Sequence, residues 1–411
     1  MRRVGVAFGA FTASLSLLFA QASGDTSPAQ AIVAPPAVAP YATGTPTPTP
    51  TVTPGPTPTP TPPPCDDEWH RIDTDDRRSD HWLSGVAVAS ADRVWGAGTD
   101  YSGNTWERSL VRRWNGRRWR REDTPSVRGN ATILSDIDVG RGGVFAVGQH
   151  SRTVSRTFVI RRRPGGGWRR MDSADPSASL NALDHVSVLS GRRAWAVGTR
   201  WDASGNHLVL VERWNGRRWS VASVGMNGLL HGVHARTAKD VWAVGRTVRR
   251  GLLRTLILHF NGRRWKQVPS PNVNDRPHIL NAVHAAGPND AWAVGYHYGD
   301  VPIAMHWNGT RWRLVDLPDL GGRSEAELRG VSSWGDEVVA VGYVSTPRDG
   351  FEALILEWNG QRFVQEDVNR FEDSTHLEDV EHAGNGSVFA AGYRSTGGGS
   401  EVVLRRPPSC S

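Results

Sequence analysis

Lysine, cysteine and helical periodicity are all but missing from this chain. Lys239 and Lys266 are its only lysines, so the formal net charge of +7 over 411 residues is carried by arginine. Cys65 and Cys410 are its only cysteines, which leaves room for one disulfide and, once they are paired, for no thiol nucleophile. No segment repeats apolar residues at helical spacing, which excludes a helical solenoid. No Gly-rich phosphate loop occurs, and the apolar run Val4–Phe19 is short for an ordinary membrane span. His231 and His234 stand three apart in an extended segment, a spacing that points them to opposite faces, so no metal site and no cofactor is expected.

What the chain does have is repetition. WNGRRW occurs at Trp114–Trp119 and Trp214–Trp219, followed by FNGRRW at Phe260–Trp265, WNGTRW at Trp307–Trp312 and WNGQRF at Trp358–Phe363; a decayed RPGGGW ends at Trp168. Asn-Gly between alternating residues predicts a two-residue hairpin, in which Trp114 lies opposite Arg117 and Arg112 opposite Trp119. A second signal keeps step: VWGAG ending at Gly98, then its counterparts ending at Gly148, Gly198, Gly245, Gly295, Gly342 and Gly392. A third, Leu-x-x-Val/Ile, precedes each, from Leu83/Val86 to Leu377/Val380. The period is about fifty residues, the mark of a propeller or repeat array.

Each unit reads as four short strands: a with Leu-x-x-Val, b with VWAVG, c before the Asn-Gly turn, and d after it. The fold class expected is all-β, a seven-bladed β-propeller of four-stranded antiparallel blades. WHRID at Trp69–Asp73 aligns with WRRED at Trp119–Asp123, and the last unit stops after EVVLRR at Glu401–Arg406, so the N-terminal strand is expected to complete the last blade. Cys65 and Cys410 flank the missing turn of that composite blade and are expected to pair.

Residues 1–22 read as a secretory signal, with Arg2-Arg3, the apolar run and Ala20-Gln21-Ala22 as cleavage site. Residues 23–64 form a Pro/Thr-rich spacer, and 65–411 the ring. At about 3.1 Å per residue, the Thr/Pro stretch 43–64 reaches roughly 70 Å as polyproline II. The protein is expected outside the cell, secreted or tethered to the surface. Membrane contact arises only if the N-terminal segment stays uncleaved.

In a propeller the a–b and c–d turns share one face. That face gathers Arg117, Arg118, Arg217, Arg218, Arg263, Arg264, Arg311 and Arg362 from c–d hairpins, with Arg93, Arg192 and Arg193 from a–b turns. This basic rim suits acidic polymers or phosphates, or else it is solvated edge that discourages pairing with other molecules. The opposite face carries the loops that depart most from the repeat. Tyr101, Trp106, Trp201, Tyr296, His297, Tyr298 and Tyr343 fall there beside short polar groups, as ligand-binding candidates for a glycan or as ordinary loop packing.

Catalytic signals are weak. Asp73, Asp123, Asp172, Asp316 and Asp367 recur at one repeat position, which suits strand termination better than a unique acid. Glu325 and Glu327, and the stretch Phe371-Glu372-Asp373, are acids of the loops before strand a. A glycosidase needs two carboxylates at a set separation, which sequence cannot place across blades.

The alternation of AWAVG with HWNGTRW, as in Ala291–Trp312, resembles the Trp-rich propeller repeats of secreted bacterial proteins, distantly akin to kelch and galactose-oxidase-like rings. A single Gly ends strand b here where kelch repeats carry Gly-Gly. The resemblance implies a propeller at the cell exterior and no particular reaction. The function expected is a non-enzymatic binding module, monomeric, for an extracellular glycan or a surface protein and not for nucleic acid. Two alternatives stand beside it: a polysaccharide hydrolase or lyase, and a structural scaffold that uses the Arg-rich face.

Overall fold

A computed structural model of the chain describes residues 68–72, 74, 80–101, 107–222, 224–272, 276–299, 301–321, 325–346, 350–368, 374–395 and 399–408. Among them the regular elements are all β-strands. Blade 1 is built from His81–Ser90, Arg93–Asp100, Arg108–Trp114 and Trp119–Glu122, paired in that order as strands a to d. The innermost strands of blades 2 to 7 begin at Ala131, Leu180, Leu229, His278, Ala326 and Thr375. Blades 2 and 3 are joined into one eight-stranded sheet by a parallel bridge, Leu180 to Ser155, and a second parallel bridge links Arg141 to Ser190. The described residues thus make seven four-stranded antiparallel units.

The ring closes as the repeat alignment implies. His70 pairs with Arg405 and Arg71 with Leu404, so the start of the chain supplies strand d of blade 7. Across the junction with blade 1, the Val86 N–H donates to Asp379 Oδ2 at 2.8 Å. Cys65 and Cys410 lie outside the described residues.

Leu-x-x-Val and the glycine that ends strand b are two halves of one device. A flat strand sends residues three apart to opposite faces, yet Leu230 and Val233 are both buried in the core. A β-bulge makes this work: pairing of strand a with strand b shifts between Leu230 and Gly232, and the same shift recurs at Leu83, Leu134, Leu183, Leu280, Leu328 and Leu377. The extra residue pushes the backbone of strand a against strand b at its glycine. A Cβ on Gly245 would stand 2.1 Å from the Leu229 carbonyl oxygen. The bulge also corrects the expectation for His231 and His234: both leave the core side, His231 toward Asp184 and His234 toward the Ala285 N–H.

The Asn-Gly turns differ from expectation as well. Trp114 pairs with Trp119, Arg113 with Arg120 and Arg112 with Arg121, so Asn115–Arg118 form a four-residue loop rather than a two-residue turn. Asn115 Oδ1 accepts the N–H groups of Arg117 and Arg118 at 3.1 and 3.0 Å, and Gly116 turns the chain at φ +88°. An asparagine side chain that takes two N–H groups stabilises the longer loop, a use of Asn the dipeptide rule omits.

That register gives the hexapeptide its role. The two aromatic residues that bound each loop sit side by side and form a socket for the strand-b aromatic of the preceding blade. Trp195 enters the Phe260/Trp265 socket at 4.9 and 5.4 Å, Trp242 the Trp307/Trp312 socket at 5.1 and 5.3 Å, and Trp292 the Trp358/Phe363 socket at 5.0 and 5.5 Å. Edge-on and tilted contacts of this kind favour aromatic pairs beyond area burial. Trp114, Trp119, Trp214 and Trp219 are buried, so they frame no rim for a ligand.

Candidate functional site

The residues that depart from the repeat converge on one arc. In most blades the residue before the repeat Leu is apolar, as in Ile133, Ala182, Leu229 and Ile279; blades 1, 6 and 7 have Trp82, Glu327 and His376 there. Tyr343 and Tyr393 follow the strand-b glycine and pair in register with Glu327 and His376. These side chains build a continuous crescent on the face of the b–c loops. Tyr101 leans on Trp82 at 4.9 Å, Trp82 stacks on Tyr393 at 4.3 Å and 8°, and Tyr393 stacks on His376 at 4.9 Å and 3°. His376 then meets Tyr343 at 4.6 Å and Phe351 at 4.7 Å.

Beside the crescent, Arg329 bridges two carboxylates: its Nε lies 3.0 Å from Glu378 and its Nη1 3.4 Å from Glu327. Glu378 and then Glu327 raise the guanidinium further above its ordinary range, against its burial. Burial, with the Glu327 charge behind it, lifts the Tyr343 phenol, and burial followed by Glu378 lifts Tyr393. Both phenols are therefore neutral hydrogen-bonding groups at neutral pH. His376 is pushed down to about 4 by burial and then by Arg329, so it is neutral too.

Of the six aromatic candidates among the described residues, Tyr101 and Tyr343 join this crescent. Trp201 packs at 4.9 Å on His207 in blade 3. In blade 5, Tyr296 pairs in register with Ile279, His297 lies 5.5 Å from His278, and Tyr298 stands 68% exposed. Trp106 lies outside the described residues, as do residues 371–373. Sequence reasoning missed Trp82, His376, Tyr393 and Phe351, although Trp82 and His376 break the repeat at a position that is otherwise apolar.

A second set of polar groups lines the central channel and holds neighbouring blades together. Asp136 and Asp138 accept the N–H groups of Val186 and Val188 at 2.8 and 2.6 Å, and Ser187 that of Ala235 at 2.9 Å. His234 accepts from Ala285 at 3.0 Å, His284 meets the Ser333 hydroxyl at 2.7 Å, and Ser332 accepts from His382 at 3.2 Å. Asp379 completes the set at blade 1, where Gly85 and Ala87 bring no such side chain toward blade 2. Burial and then the Asp136 charge push Asp379 up to about 7; burial pushes His234 down to about 4. These groups are committed to the frame. Among the described residues no His, Cys, Asp and Glu set is arranged to hold a metal ion.

On the opposite face two open clefts of about 340 and 500 Å³ adjoin Ser90 and Asp92. Arg93, Arg113 and Asn115 line one and Arg405 the other, and each has Asp92 as its carboxylate, so neither offers a pair for glycoside hydrolysis. The c–d loop residues Arg117, Arg118, Arg217, Arg218, Arg263, Arg264, Arg311 and Arg362 stand on this face, each with its backbone N–H held by the loop asparagine.

No protein-family model matches this chain, and no curated protein matches it. Solved structures do. A structure of YCF48 bound to D1 peptide aligns with TM-score 0.55 at 12% identity, covering 85% of this chain and 98% of that one. YCF48 from Cyanidioschyzon merolae aligns with TM-score 0.53 at 14% identity, covering 82% and 98%. YjhT gives a TM-score of 0.45 at 10% identity over 69% of this chain and 97% of its own. At these identities the likeness to YCF48 establishes the propeller fold.

Proposed function

We propose that this propeller is an exported, non-catalytic binding module that takes an extended segment of a surface protein along the crescent of blades 6, 7 and 1. The carrying observation is the ring geometry. Trp82, Tyr393 and His376 stack face to face, so their negative faces cover one another and their positive edges are what remains for a ligand. Ring edges suit carbonyl oxygens of a peptide, whereas sugars seek open faces. Arg329, Glu327 and Glu378 add charged contacts beside the rings. The propeller fold supports a binding role, and a fold neighbour that holds a peptide supports a protein partner.

A glycan is the second reading, favoured by one observation: the open ring of Tyr298 beside His297. Paired arrays of peptides and glycans separate the two with the full chain. Trp82→Ala/Tyr393→Ala is expected to weaken peptide binding by about 30-fold, the loss of a central aromatic anchor, with Trp201→Ala/Tyr298→Ala close to wild type. Glycan binding lost only in the second variant would replace the first reading with the other.

Export carries its own test. The segments 1–22 and 23–64 are assigned as signal and spacer, and Cys65 with Cys410 as a disulfide that ties the composite blade, on sequence grounds. Intact mass of protein recovered outside the cell is expected to begin after Ala22 and to gain alkyl groups at two thiols only after reduction. Two thiols that alkylate without reduction would remove the bridge.

A further inference from the structure

The charge of the arginine face is concentrated rather than spread. In blades 1, 3, 4 and 5 the a–b turn packs under the glycine of the c–d loop, so the residue there sits against that loop. In blade 3 that residue is Arg192, whose Cβ would lie 3.4 Å from a Cβ on Gly216; in blade 4 it is Lys239, 2.8 Å from one on Gly262. Blade 1 has Asp92 under Gly116 and blade 5 has Asn289 under Gly309. Blades 3 and 4 thus each hold a knot of three cations: Arg192 with Arg217 and Arg218, and Lys239 with Arg263 and Arg264.

Among the described residues no acid neutralises them. Asp240, the acid next to Lys239, is taken by Arg236 at 2.6 Å and His259 at 2.7 Å. In blade 3, Asp184 faces His231 in the channel and Glu212 is fully buried. Among the described residues none of the six cations forms an ion pair. Like charges gathered on one turn and loop without a counter-charge repel, and the arrangement becomes favourable when an external anion fills it.

We infer that the knots of blades 3 and 4 form a second site, independent of the crescent on the opposite face, for a linear polymer that carries repeated phosphates. Two adjacent arginine forks beside a third cation match the several oxygens of a phosphate, while one fork satisfies a carboxylate. Two knots on neighbouring blades match a chain with repeating charge. The site has little of what a nucleic acid uses in addition: Trp214, Trp219 and Phe260 are buried at 2%, 4% and 8% exposure, and the half-buried Trp265 is held against Trp195 at 5.4 Å, so no row of open rings awaits successive bases.

The test is binding of the full chain to inorganic polyphosphate, to poly-glutamate and to oligo-dT across a salt series. Polyphosphate is expected to bind with an affinity that falls steeply with salt. R217Q/R218Q/R263Q/R264Q is expected to lose at least about tenfold and to flatten that dependence, while R311Q/R362Q stays within about twofold of wild type. W82A/Y393A should bind polyphosphate as wild type does, so the two sites fail or stand separately. Unchanged melting of the fourfold variant shows that it folds. Equal binding of poly-glutamate, tighter binding of oligo-dT, or no polyphosphate binding would each overturn the inference.

Discussion

Alanine at Gly245 is expected to remove about 3 kcal/mol or more of stability, whereas Gly165→Ala should stay within about 0.5 kcal/mol of wild type. A Cβ at Gly245 meets the Leu229 carbonyl oxygen at 2.1 Å and Leu230 Cα at 2.8 Å. Both are backbone atoms of a paired strand, so neither can swing aside as a side-chain tip would. Relief requires the bulge of strand a to open, and that bulge keeps Leu230 and Val233 on the core side together. Gly165 stands in the blade 2 loop with nothing within 4 Å of its would-be Cβ, so it reports the generic effect of the added methyl. Urea melts of the two variants decide the matter. A Gly245→Ala loss below about 1 kcal/mol would mean that the bulge is soft and that the recurrent glycine has another cause.

This glycine also marks where sequence and structure parted. The repeat period, the four strands and the blade completed by Trp69–Arg71 were legible because each leaves a local pattern. Leu-x-x-Val was legible as a signal but not as a shape, since a spacing of three is compatible with a flat strand only if one of the two leaves the core. The bulge was the missing term, and it reversed the facing of His231 and His234. The Asn-Gly rule failed in register for a similar reason: Asn115 uses its side chain, not its backbone freedom alone, to hold Arg117 and Arg118.

The crescent was half legible. Tyr101 and Tyr343 lie in or beside loops that depart from the repeat and drew attention there. Trp82 and His376 lie in strand a, where an aromatic reads as core, and only their register with Thr99 and Tyr393 reveals that they surface at the strand end. Trp201 and Tyr298 fulfil the same compositional rule on other blades and contact none of the crescent rings. Convergence across blades is a property of the closed ring, and composition does not encode it.

Glu212 yields the other large effect, and it appears as pH dependence. This carboxyl is fully buried on strand c of blade 3, where Oε2 accepts the Ala174 N–H at 3.2 Å and Oε1 has no hydrogen-bond partner among the described residues. Burial, with the Asp175 charge adding to it, pushes Glu212 up to about 8 from an ordinary 4.5. An acid raised on folding binds its proton in the native state while the unfolded chain has released it. Between pH 4.5 and 8 it therefore weakens the fold by about 1 kcal/mol per pH unit, and the loss levels off above pH 8. Glu212→Gln keeps the acceptor for Ala174 and cannot ionise, so it is expected to match wild type near pH 4.5 and to exceed it increasingly up to pH 8. The channel histidines act in the opposite sense: His234 and His382, lowered to about 4 by burial, contribute stability above pH 6.5 that is lost as pH falls toward 4. Their contribution is common to both proteins and cancels in the difference. Thermal melts of the pair at half-unit pH steps read that difference directly, and parallel curves would show that Glu212 is ionised in the native ring.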